Sequence, residues 1–246
     1  GRGGIQMKYN FTDVIERKGK DAIAAEVIPY ADFQVKEGFS RIPMWIADMS
    51  FATVPAVPKI MMERAAHPLY GYFEPKEEYY EAIIRWQEER NGVQGLTKEC
   101  IGYENGVLGG VVSALNVICS KGDKVLLHSP AYVGFTGSLE NNGYDIVRSP
   151  LQKDESGIWR MDFADMEEKL RKHSIHAAIF CSPHNPCGRV WERWELEQAM
   201  ELFRKYDVMV VADEIWSDII LGNNRHIPVQ SVSEDARMRT AALYAP

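Results

Sequence analysis

After Asp123 the chain alternates between two kinds of hydrophobic pattern. Short, nearly continuous apolar runs occur at 124–129 (KVLLHS), 176–182 (HAAIFCS) and 207–214 (DVMVVADE). Runs of this length, bounded by turn formers, fit strands that are buried on both faces. Between the last two, ERWELEQAMELFRKYD (192–207) places Leu196, Ala199, Met200 and Phe203 at offsets 0, 3, 4 and 7, one face of a helix. FADMEEKLRKHS (163–174) is a shorter candidate helix ahead of the second run. Upstream, PKEEYYEAIIRWQEERNG (75–92) predicts a helix that Gly92 stops, and NGVLGGVVSALNVICSKGD (105–123) predicts a glycine-rich loop running into a helix. The first fifty residues have weak periodicity and are expected to wrap around the rest or to belong to another lobe. Apolar strands alternating with helices predict an α/β fold, three-layered, around a mostly parallel sheet.

Composition narrows this picture by exclusion. A net charge of −7, with no basic runs, offers no electrostatic footprint for nucleic acid. No apolar stretch approaches the roughly 20 residues that cross a bilayer, and GRGGIQMKYNF lacks the apolar core of a secretory signal. Residues 1–6 are read as an expression remnant ahead of Met7. The four cysteines (100, 119, 181 and 187) form no CxxC pair, which sets the expectation of a reducing, cytoplasmic location. CSPHNPC (181–187) holds two cysteines and a histidine, but its prolines and the missing second ligand pair argue against zinc.

Candidate chemistry gathers where the three apolar runs finish, in SPAY (129–132), SPHNPCG (182–188) and ADE (212–214). In open α/β sheets ligands bind outside the carboxyl ends of the strands. Asp213 offers a fixed anion there, Asn185 an amide donor and Tyr132 a flat apolar face. A planar, positively charged, hydroxylated heteroaromatic ring uses all three, and pyridoxal 5′-phosphate (PLP) is such a ligand. Its phosphate needs a cradle, which NGVLGG (105–110) can supply through the N–H groups of Gly106, Val107 and Leu108 at a helix start. Each element also has an ordinary reading. A lone Asp213 is a cap or an ion-pair partner, Asn185 before Pro186 is a turn signal, and Tyr132 is core. His184 is read as an exposed loop residue rather than a catalyst. A nucleotide-binding reading of NGVLGG fares poorly, because the GxGxxG spacing is absent and no acid follows at the required distance.

Taken in order, Gly106-Val107-Leu108, SPAY, SPHNPCGRVW (182–191) and ADEIWSD (212–218) closely resemble the large domain of fold-type I PLP enzymes, aminotransferase class I/II. IPMWIADMSFATVP (42–55) and YGYFEPKEEYYEAIIRW (70–86) narrow the resemblance to the MalY/PatB-type carbon–sulfur β-lyases, the cystathionine β-lyases. The match runs over essentially all of Met7 to Pro246. It implies that residues 7–50 go with the small domain and 51–246 form a PLP-binding large domain, incomplete at its C-terminus. It implies that Asp213 pairs with the pyridinium nitrogen, Asn185 bonds O3′, Tyr132 stacks on the ring, and Gly106, Val107 and Leu108 hold the phosphate. Tyr72 matches a tyrosine that reaches the phosphate of the neighbouring subunit, which implies a homodimer. The implied activity cleaves cystathionine, cysteine or related sulfur amino acids to a thiol, pyruvate and ammonia.

The departures from that pattern matter. The lysine that forms a Schiff base with the cofactor lies, in the family, shortly after the strand that ALYAP (242–246) is expected to begin. Here it is expected beyond Pro246, because none of the lysines present, Lys121 and Lys124 included, has that context. The chain alone is therefore expected to turn over little or no substrate. Ser50 stands where many relatives carry Asp. Trp216 replaces a tyrosine that contacts O3′ in aspartate-type aminotransferases, and this leans toward the lyase branch. An aminotransferase, or a non-catalytic fragment acting as an interaction remnant, is the alternative.

Overall fold

A computed structural model describes residues 8–27, 29 and 34–246, so the expectation for residues 1–6 lies outside the described residues. The chain divides into two units, 1–73 and 74–246. In the first, the helices are α1 (Ile23–Glu26) and α2 (Ala56–Ala65), and no α2 side chain is buried. Among the described residues no helix is long and apolar enough to cross a membrane.

The second unit contains α3 (Glu77–Asn91), a 3₁₀ turn at Lys98–Cys100, α4 (Val107–Ile118), β1 (Lys124–Ser129), α5 (Val133–Asn141) and β2 (Asp145–Pro150). There follow a small antiparallel hairpin of β3 (Gln152–Lys153) and β4 (Trp159–Arg160), then α6 (Phe163–Lys172), β5 (Ile175–Cys181), α7 (Arg193–Lys205) and β6 (Met209–Asp213). A second 3₁₀ turn at Val229–Ser231, α8 (Glu234–Arg239) and β7 (Thr240–Leu243) complete it. Five strands form one sheet in the order β2-β1-β5-β6-β7, and every pairing is parallel. The alternation of patterns thus yields the α/β architecture it predicted.

The continuous apolar runs have a simple cause. Alternate strand residues enter two separate cores, so both faces favour apolar positions. Leu126, Ala178, Phe180, Val210 and Ala212 pack with Met166 and Leu170 of α6 and with Leu196, Ala199, Met200 and Phe203 of α7. Val125, Leu127, Ala177, Ile179 and Val211 pack with Val111 and Leu115 of α4 and with Phe135 and Leu139 of α5. The helical face anticipated for 192–207 is the buried face of α7. Each fully buried Leu or Phe there contributes about 1.5–3 kcal/mol. The Arg204–Glu201 pair of α7 is exposed and screened by water, so packing holds this helix in place.

Gly92 ends α3 in the left-handed region, at φ +68°. One expectation needs adjustment. The strand expected to begin at 242 already starts at Thr240 and ends at Leu243. Its partner β6 sets this length, pairing Val210 with Thr240 and Asp213 with Leu243.

Candidate functional site

Strand order reverses at β1, whose chain successor β2 lies on one side and β5 on the other. Such a switch point opens the carboxyl edge of a sheet to a ligand. The β1–β5 pairing ends at Leu126↔Ala178, three residues short of either strand's end. By contrast, β5–β6 pairing continues to Cys181↔Asp213 and β6–β7 pairing to Asp213↔Leu243. The turns leaving β1 and β5, which carry Tyr132 and Asn185, flank this opening. Asp213 is the last residue of the adjoining strand.

Asp213 is only 5% exposed, and among the described residues its carboxylate receives one hydrogen bond, from the Ile215 amide at 3.1 Å. Burial pushes its pKa up to about 6, against the pull of that amide, and neighbouring Glu214 adds to the rise. Glu214 is fully buried but better supplied. Its Oε1 lies 2.7 Å from His226 Nε2, and Tyr244 donates its hydroxyl to Oε2 at 3.3 Å. Burial raises the pKa of Glu214 as well, opposed by His226. Of the two adjacent acids, one has protein partners and the other is left with an unmet demand for positive charge.

Asn185 sits on a turn held from several directions. Cys181 Sγ accepts from the Asn185 amide at 3.4 Å and donates to Pro183 O at 3.3 Å. Burial pushes that thiol up to about 12, helped by Asp213, so Cys181 acts as a structural thiol. Gly188, at φ +68°, closes the turn by donating to His184 O at 2.7 Å. Arg189 then grips the buried Glu195 of α7 through Nη1–Oε1 at 3.0 Å and Nη2–Oε2 at 2.7 Å. The side-chain amide of Asn185 has no hydrogen-bond partner among the described residues. The reading of His184 as an exposed loop residue is overturned. It is 4% exposed, because its ring lies against Trp191 and its Nε2–H donates to Pro130 O at 2.9 Å.

Tyr132 precedes α5, is 38% exposed, and meets Phe135 edge-on with centroids 5.4 Å apart. Gly134 lies beneath it. A Cβ at Gly134 would contact the Tyr132 ring, coming within 2.7 Å of Cζ, and would lie 2.9 Å from Leu108 Cδ1. The start of α4 and the Tyr132 turn are therefore neighbours. At that start Gly106 has φ +80°, which side-chain-bearing residues rarely adopt, and no side chain caps the helix. Its first-turn amides keep the unmet donors common to any helix start. We expect Gly134→Ala to drive the Tyr132 ring from its position, costing about 1–3 kcal/mol in urea unfolding. Binding of a ring-stacking ligand should weaken at least fivefold, whereas unchanged unfolding and binding would show that the ring has room to move.

A cation-seeking carboxylate, a free amide, an aromatic face and an open helix start suit the ring nitrogen, hydroxyl and phosphate of PLP, so the residues present fit that group. Tyr72 belongs to the other unit, where it is exposed. Lys121 and Lys124 lie at the amino end of β1, away from this edge. Sequence reasoning missed the buried Glu214–His226–Tyr244 set and the His184 contact, because their partners are distant in the chain.

Fold and edge together define an α/β domain whose parallel sheet presents an unneutralised acid at its carboxyl edge, the edge at which open sheets of this kind take ligands. Residues 42–243 match the aminotransferase class I and II family, and the chain belongs to it. It is similar to cystathionine beta-lyase PatB of Bacillus subtilis, at 36% identity over 205 residues, 83% of this chain and 52% of that protein. The PLP-bound C-S lyase of Staphylococcus hominis superposes with a TM-score of 0.83 at 31% identity, covering 96% of this chain and 58% of that one. Cystalysin of Treponema denticola, which contains PLP, gives a TM-score of 0.88 at 29% identity, covering 98% and 60%. The chain spans about half the length of the curated relatives it matches.

Proposed function

We propose that this chain is the cofactor-binding part of a PLP-dependent carbon–sulfur β-lyase acting on cystathionine or related S-substituted cysteines. The observation that carries the reading is Asp213, a buried carboxylate on the strand beside the switch point with, among the described residues, a single amide donor. PLP, when bound, supplies an electron sink for the charge left when a substrate loses its Cα proton. Asp213 holds the proton on the ring nitrogen and so keeps that sink strong. Asn185 donates to O3′, and Tyr132 covers one face of the ring and excludes water from it. Gly106, Val107 and Leu108 offer their N–H groups to the phosphate, and Tyr72 reaches that phosphate from a partner subunit in a cytoplasmic homodimer. In this reading residues 51–246 form the large domain and 7–50 go with the small one.

Similarity to PatB and to the C-S lyase of Staphylococcus hominis supports the lyase over an aminotransferase, although the family name covers both. Two measurements test the reading. The 246-residue chain should bind PLP saturably, in competition with its phosphate-bearing analogues. A longer form that carries the active-site lysine should release pyruvate from L-cystathionine without any 2-oxo acid. Strict dependence on such an acceptor would make it an aminotransferase. Failure of the chain to bind PLP would leave a non-catalytic fragment.

A further inference from the structure

Where the β1–β5 ladder stops at Leu126↔Ala178, the two turns beyond it lose backbone support from one another. Among the described residues no backbone hydrogen bond joins residues 129–132 to 182–188. Yet these turns carry Tyr132 and Asn185, which must meet one flat ligand from different directions. Among the described residues one hydrogen bond joins the two turns: His184 Nε2–H donates to Pro130 O at 2.9 Å. A carbonyl oxygen can only accept, which fixes Nε2 as the protonated nitrogen.

The histidine is itself held rigidly. Its amide donates to Arg189 O at 2.8 Å, and its carbonyl accepts from Gly188 at 2.7 Å. Its ring meets the Trp191 ring with centroids 5.8 Å apart. Trp191 in turn donates Nε1–H to Cys181 O at 3.0 Å, tying the assembly to the last residue of β5. Burial lowers the pKa of His184, so the imidazole is uncharged where it sits. Asn185 is the next residue in the chain, and Tyr132 follows Pro130 by two. An error of about 1 Å in the width of the opening is enough to spoil a donor placed on one side of a ring that is stacked on the other.

We propose that His184 is a positioning residue that sets the distance between the Asn185 turn and the Tyr132 turn, and through it the Asn185 contact to O3′ of PLP. The proposal rests on the cofactor reading above. The test compares PLP with 3-deoxypyridoxal 5′-phosphate, which lacks O3′, on the wild-type chain and on His184→Leu, His184→Asn and His184→Gln. Gln can place an amide N–H near the Nε2 position, Asn is too short to reach, and Leu has no donor.

Wild type should prefer PLP to the deoxy analogue. Leu and Asn should lose roughly tenfold in PLP affinity, the worth of one well-placed hydrogen bond, while binding the deoxy analogue almost as before. Gln should recover to within about threefold of wild type. Without ligand, amide hydrogen exchange at 130–135 and 183–188 should rise together in Leu and Asn and stay low in Gln. Equal weakening of both ligands, or faster exchange at one turn only, overturns the role of His184 and leaves the cofactor reading intact. A wild-type chain that binds neither ligand overturns the cofactor reading and this role with it.

Discussion

Replacing Asp213 with Asn is expected to make the ligand-free chain more stable while removing most of its affinity for PLP. Folding raises the Asp213 pKa from 3.8 to about 6, so the folded chain holds this proton more tightly than the unfolded chain does. For an acid shifted upward, the penalty is absent below pH 4, grows between pH 4 and 6, and is complete above that. A rise of this size corresponds to about 3 kcal/mol of lost stability at pH 7. Asn keeps the acceptor for the Ile215 amide and discards the charge. Its urea midpoint at pH 7 should therefore rise by the equivalent of about 2–3 kcal/mol, and the gain should vanish toward pH 4. Binding should move the other way. Removing one member of a buried charge pair costs about 2–5 kcal/mol, or roughly 30- to several-thousand-fold in affinity. A variant that binds PLP like wild type would end the assignment of Asp213 to the ring nitrogen. Stability sacrificed at a site in this way is characteristic of function.

The three central strands were legible because both their faces are buried. That favours apolar residues through most of each strand, His128 and His176 excepted, and such a run stands out in any sequence. The neighbouring β2 (DIVRSP) did not stand out. As an edge strand it buries Val147 and Ser149 and exposes Asp145, Arg148 and Pro150, so it carries no continuous run. Helix α5 was hidden for another reason. VGFTGSLEN contains two glycines and a threonine, weak helix formers, and Phe135 and Leu139 hold it helical by packing four residues apart into the core. The residues of the candidate site were visible as a set because each follows a legible strand. Their supports were not. Nothing local to His184, between two prolines and an asparagine, signals a ring buried against Trp191 and bonded to a carbonyl 54 residues away. Glu214 and His226, twelve residues apart, meet only once the chain beyond β6 has folded back.

Among the supports, Glu195 should prove the most costly to remove. Its side chain is 1% exposed and receives both Arg189 nitrogens, Arg160 Nη1 at 2.9 Å, and the Glu192 amide at 2.8 Å. The last contact is half of a capping box at the start of α7, which Glu192 completes from its own side. Arg189 also donates to the carbonyl of Trp159, so one carboxylate ties the Asn185 turn, the β3–β4 hairpin and α7 together. Glu195→Ala strands the Arg189 guanidinium, which is mostly shielded from water, while Arg160 keeps Asp154 and Glu192; breaking a buried pair from one side costs about 3–5 kcal/mol. Glu192 is 54% exposed, so Glu192→Ala should cost about 1 kcal/mol through its Arg160 contact and the cap. Urea unfolding of the two variants side by side tests this, and equal costs would show that the network is solvated rather than buried. Arg189→Met combined with Glu195→Leu should cost less than either change alone, because the double variant leaves Arg189 and Glu195 no unmatched charge between them. The double variant should still bind PLP less tightly than wild type, since an apolar pair can fill the space of an ion pair without fixing the angle at which the Asn185 turn leaves the sheet.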